Sequence, residues 1–228
     1  MHPCAWALAV LASCSPESRG SLQIPVHLAG SDPATFVGSD GAEVRLDRAL
    51  LVLSDLRLES PPTVARLRLP SPLRSAWAHP GHDFSGDTAC ELLGTWELDL
   101  LSDSGLDPGN ATCLEGDLAT GRVRLSAEPA LDLAGEVTLE GGEKRSFHFE
   151  VFLDEEVAGI PIEARLDADA PPALLDLAAS PATMLSWSDW STEDEDQDGL
   201  LTLSDGALGN TVPFGVVSTA SFTLDLDE

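Results

Sequence analysis

Short runs in which apolar and polar residues alternate dominate this chain, each closed by glycine, proline, aspartate or serine. In a β-strand successive side chains point to opposite faces, so such a run buries one face and wets the other. Leu22-Gln23-Ile24-Pro25-Val26-His27-Leu28 puts Leu22, Ile24, Val26 and Leu28 together, and its Pro25 reads as an edge position. Ala49–Leu58, Val64–Leu69, Trp96–Leu100, Val123–Leu125, Leu131–Leu133, Ile160–Leu166 and Phe222–Leu226 read as further strands. Glu136–Glu140, Gly141-Gly142 and Ser146–Phe152 form the clearest hairpin, with Phe147, Phe149 and Val151 on its apolar face. No long amphipathic helix emerges. The expected fold is all-β, an antiparallel β-sandwich of immunoglobulin-like layout with long loops.

The first residues carry a different signal. Ala5 to Leu11 is apolar but too short to span a bilayer, and Leu11-Ala12-Ser13-Cys14 resembles the bacterial lipobox. The expectation is a signal peptide over 1–13, lipidation at Cys14, a tether over 14–21 and a single domain over 22–228. Cell-envelope localisation, periplasmic or at the outer-membrane surface, follows, with membrane contact through the lipid alone. Cys4 would leave with the leader. Cys90 and Cys113 then remain as an even pair, read either as a disulfide in an oxidising compartment or as two thiolate ligands.

Thirty-nine acidic residues against twelve basic ones give a formal net charge of −27. Such a surface repels nucleic acid and anionic membranes, attracts cations and favours a soluble monomer. There is no Gly-x-Ser-x-Gly, no Gly-Lys-Ser/Thr phosphate loop and no HExxH, so catalysis is not expected.

Two segments look built for metals. In Trp77-Ala78-His79-Pro80-Gly81-His82, Pro-Gly suits the centre of a type II turn, which brings His79 and His82 within about 7 Å at Cα. Two imidazoles so held can meet at one ion. His27 and His148, on the polar faces of their strands, are candidate third ligands, and Asp83 could orient a ligand ring. Few thiolates and thioethers are available, so a histidine-rich copper site fits better than blue copper, with zinc as the alternative.

The second segment, Asp194 to Asp205, follows the twelve-residue calcium loop. Asp194, Asp196 and Asp198 stand at positions 1, 3 and 5, Gly199 at 6, the Leu200 carbonyl at 7 and Asp205 at 12. Trp187 and Trp190, just before it, read as core or groove packing, with a sugar-stacking platform as the alternative.

Trp77 and His79 resemble the copper site of methanotroph surface copper proteins and of the periplasmic methanobactin-associated, MbnP-like family. Leu185-Ser186-Trp187-Ser188-Asp189-Trp190 before an acidic loop, then Asn210 and the Phe222 strand, is similar to the end of an MbnP-like domain. The resemblance implies a copper-binding β-domain in which Trp77 is the tryptophan oxidised to kynurenine and His79 is a ligand. The expected partner, besides metal ions, is a modifying haem enzyme or a membrane metal transporter. The rival expectations are a calcium-stabilised surface lipoprotein for adhesion or partner binding, and a carbohydrate-binding module.

Overall fold

The computed structural model describes residues 20–61, 88–126, 129–190, 200–203 and 207–227. The leader, Cys14, the Val64–Leu69 run and the Trp77–His82 segment lie outside these residues, as do Asp194, Asp196, Asp198 and Asp205. In chain order the strands are β1 (Ser21–Gly30), β2 (Thr35–Val37), β3 (Glu43–Glu59), β4 (Thr88–Asp99), β5 (Leu106–Leu114) and β6 (Gly116–Leu125). Then come β7 (Leu131–Thr138), β8 (Lys144–Val151), β9 (Glu156–Leu166), β10 (Leu174–Ala179), β11 (Leu200–Leu201) and β12 (Phe222–Asp227). Two short helices, α1 (Pro181–Met184) and α2 (Ala207–Val216), interrupt the last third.

The protein is all-β, as the alternation implies. β3 organises it. Over residues 43–51 one of its edges pairs with β7, and over 53–59 the same edge pairs with β6. Its other edge holds β2 and then β4. The sheet therefore forks along β3, into β7 and β8 on one branch and β6 and β9 on the other. Beyond β4 it continues through β5, β1, β10 and β12. It coils far enough for β12 to pack against β9, although no ladder joins those two strands. One core fills the interior, built from alternate positions such as Leu51, Leu53, Leu125, Leu131, Phe147 and Phe149.

Two local findings refine the sequence expectation. The sheet is mixed rather than wholly antiparallel, since β1 with β10 and β11 with β8 run parallel. Alternation reports which face is buried and is blind to partner direction. Pro25 is not on an edge strand either, because β1 lies between β5 and β10. It faces Asn110 of β5, while pairing to β10 begins only at Val26. The residue without an N–H thus sits where one of its two sides has no ladder to feed.

The β7–β8 hairpin forms as read, with Gly141 and Gly142 at φ +111° and +86° in its turn and Phe147, Phe149 and Val151 buried. Cys90 and Cys113 stand opposite each other on β4 and β5 and form a disulfide, which excludes the thiolate-ligand alternative in this oxidised state. Their ladder is only two residue pairs long, so the covalent bond fastens one of the narrow joins in the sheet.

Candidate metal-ligand histidines and the acidic segment

On the outward face of β7, Asp132 is nearly buried and serves two partners. Its Oδ1 accepts a hydrogen bond from His148 Nε2 at 3.0 Å, and its Oδ2 lies 2.7 Å from an Arg48 guanidinium nitrogen. The register explains the convergence. Arg48 of β3 and His148 of β8 flank Ala134, whose methyl group leaves room for both to reach Asp132 two positions along β7. In the tautomer that donates through Nε2, the lone pair of His148 sits on Nδ1, which has no hydrogen-bond partner among the described residues, and the side chain is 44% exposed. A carboxylate holding one ring nitrogen while the other stays available is how proteins orient a metal-ligating imidazole.

His27 is bound differently. It faces Asp176 directly across the parallel β1–β10 ladder. Its Nδ1 donates to Asp176 Oδ1 at 2.8 Å, and its Nε2 donates to the Ser104 carbonyl at 3.2 Å. Both partners are acceptors, so only the imidazolium satisfies them together. The Asp176 hydrogen bond, then the Ser104 carbonyl, hold the pKa above its ordinary value, with burial opposing them. Gly105 makes the seat possible. It takes φ +58°, and a Cβ there would lie 2.4 Å from His27 Nε2. A metal at His27 would have to displace one of the two acceptors.

β5, β4, β3 and β7 separate β1 from β8 in the sheet, so His27 and His148 occupy different places on it. Among the described residues no group of three or more histidine, cysteine, aspartate or glutamate side chains is placed to hold a metal. One oriented imidazole supplies one ligand, and a copper site at His148 requires nitrogens from residues outside the described set.

Two anchors on β8 flank residues 191–199, a stretch that contains Asp194, Asp196 and Asp198 of the acidic calcium-loop segment. Before it, Trp190 is fully buried, with its ring centroid 5.1 Å from Phe147 and 5.7 Å from Phe149, and its backbone N–H donates to Asp40 Oδ2. Within the acidic segment, at its seventh and eighth positions, Leu200 pairs with Ser146 and the fully buried Leu201 pairs with Phe147. Trp187 has the opposite fate: it is 62% exposed and meets the equally exposed Phe214 of α2 edge-on at 6.4 Å. A sugar platform using Trp187 and Trp190 together is therefore not formed, since one ring lies in the core and the other on the surface.

The sequence reading missed a charged patch on the outward face of β3 and β6. Arg57, Arg122 and Arg124 line a small concavity with Asp55 and Glu156. Arg57 Nε lies 3.2 Å from Glu91, whose side chain has no exposure although it sits on the face opposite the core. Arg122 pairs with Glu59 and Glu156, and Arg124 pairs with Asp154. Each guanidinium is matched by carboxylate, so the patch does not attract an anion. The signal was present: Arg57, Arg122 and Arg124 each alternate with buried Leu or Val. Their meeting depends on β3 pairing with β6, which no local pattern encodes.

No protein-family model matches this chain. No curated protein matches it either. Among solved structures, MbnP from Methylosinus trichosporium aligns with 92% of this chain and 99% of its own, at 9% identity and a TM-score of 0.43. It carries the name of the family that the Trp77 and His79 motif resembles.

Proposed function

We propose that this protein is a non-catalytic metal-binding protein of the bacterial envelope, which holds or hands over copper through Trp77, His79 and His82 with His148 as a further ligand. The observation that carries the reading is the Asp132–His148 pair: a partly exposed imidazole, fixed through one nitrogen and open at the other. His27, with both nitrogens engaged, is the weaker candidate. The Cys90–Cys113 disulfide suits an oxidising compartment, and no described helix is long and apolar enough to cross a membrane. A lipid at Cys14 would tether the domain, and a haem enzyme or a membrane metal transporter would be its partner. Copper, when bound, would sit among imidazole ligands, and the chain's own task is to orient those rings and keep the site accessible. The test is copper titration of wild type against His79→Ala/His82→Ala and His148→Ala. Loss of affinity in both supports the site.

A second reading has its own support. Trp190, just before the acidic segment, and Leu201, at its eighth position, are both seated against Phe147. A calcium ion bound by Asp194, Asp196, Asp198, the Leu200 carbonyl and Asp205 would offset the repulsion within that segment. The protein would then be a calcium-stabilised surface lipoprotein for adhesion or partner binding. A melting temperature raised by calcium alone, with no copper binding, would favour it.

A further inference from the structure

We infer that the seam between β9 and β12 is a docking groove for an extended peptide of alternating apolar and basic residues. Among the described residues β9 pairs only with β6, and β12 pairs only with β10. The free edges of the two strands face each other across the seam without a ladder. Each free edge presents backbone N–H and C=O groups in a row, a template for another strand. Between them lies a cleft of about 510 Å³, within the size range of ligand pockets, roughly 300–1,000 Å³. The loop after β9, with Pro171 and Pro172, forms part of its lining.

The lining fixes the chemistry of the occupant. The partly exposed Ala164 and Leu226, with the edges of the buried Ile162 and Leu224, offer apolar contacts to every second side chain of an entering strand. Glu163 and Asp225 alternate with them and add negative charge. The one cation in the lining, Arg165, is already paired with Asp117 at 3.1 Å. An acidic cleft in a chain of net charge −27 selects a basic partner and repels a second copy of itself.

The test uses an acetylated, amidated Lys-Val-Lys-Val-Lys-Val peptide, its glutamate counterpart, and two versions N-methylated at all valines or at all lysines. Binding is read by fluorescence anisotropy, and its location by amide hydrogen exchange. The expected result is binding of the lysine peptide with slowed exchange within 160–166 and 222–227, about tenfold weakening by at least one methylation pattern, and no binding of the glutamate peptide. Glu163→Lys/Asp225→Lys should weaken binding about tenfold at unchanged melting temperature. If that variant fails to fold, Ala164→Trp, which fills the cleft, should abolish binding. The inference is overturned by no binding at about 1 mM, by protection elsewhere, by equal binding of all four peptides, or by dimerisation through this seam in sedimentation.

Discussion

Asp132 holds the His148 ring through Nε2 at 3.0 Å and is itself held by Arg48 at 2.7 Å. Fixing the carboxylate from both sides fixes the imidazole plane, which is what a ligand needs before the metal arrives. Asp132→Asn keeps the shape but removes the charge and weakens the hold on the ring. Copper affinity should fall about 10- to 100-fold, as for other outer-shell carboxylates. Competition titration with a chelator measures it, and an unchanged affinity would detach Asp132 and His148 from the copper site.

His27 gives a stability signal with a defined sign. Its folded pKa is raised, first by the Asp176 hydrogen bond and next by the Ser104 carbonyl, with Asp107 adding a small push in the same direction. The stabilisation is therefore fully present below the unfolded value of about 6.5 and is lost as pH climbs through the raised folded value. In urea melts, His27→Gln should lose more stability at about pH 5.5 than at about pH 8.5. Equal losses at the two pH values would show that His27 is not held as a cation.

Trp190 and Trp187 should behave as opposites. Trp190→Ala empties a fully buried site against Phe147 and Phe149 and should cost about 3–5 kcal/mol. Trp190→Phe should cost less, because it also removes a buried Nε1–H that lacks a hydrogen-bond partner. Trp187→Ala should stay within about 0.5 kcal/mol of wild type. Chemical denaturation of the three variants checks the order.

These contrasts show how far sequence carries. The β7–β8 hairpin, the buried faces of β1 and β9 and the last three residues of β6 were legible because period-two alternation records burial directly. The meaning of Pro25 was not, because the same proline fits an edge strand and a strand whose second partner starts one residue later. Trp187 and Trp190 are three residues apart and looked equivalent. Only packing against β8 and α2 separates a core ring from a surface ring. Glu91 shows the limit most clearly: alternation turns it away from the core, yet tertiary contacts bury it completely beside Arg57. The imidazole–carboxylate pairs were half visible. The outward placement of His27 and His148 could be read, while Asp176 and Asp132 became their partners only through register.

The acidic segment predicts a calcium response. Calcium should raise the melting temperature of wild type, and Asp194→Asn/Asp196→Asn/Asp198→Asn should abolish the rise. Asp205→Glu should tighten binding, because the longer side chain reaches the ion in both oxygens from the twelfth position. Differential scanning calorimetry with calcium and with chelator reads both effects, and a rise that survives the triple substitution would remove the site from this segment.

Copper binding through Trp77, His79 and His82 is measured by isothermal titration of the purified domain with copper, in wild type and in His79→Ala/His82→Ala, at fixed pH and with calcium present throughout. The expected result is one copper bound per wild-type chain and an affinity at least about tenfold weaker in the double variant, with the melting temperature of the metal-free proteins equal. Unchanged copper binding in the double variant, or none in wild type, would contradict it.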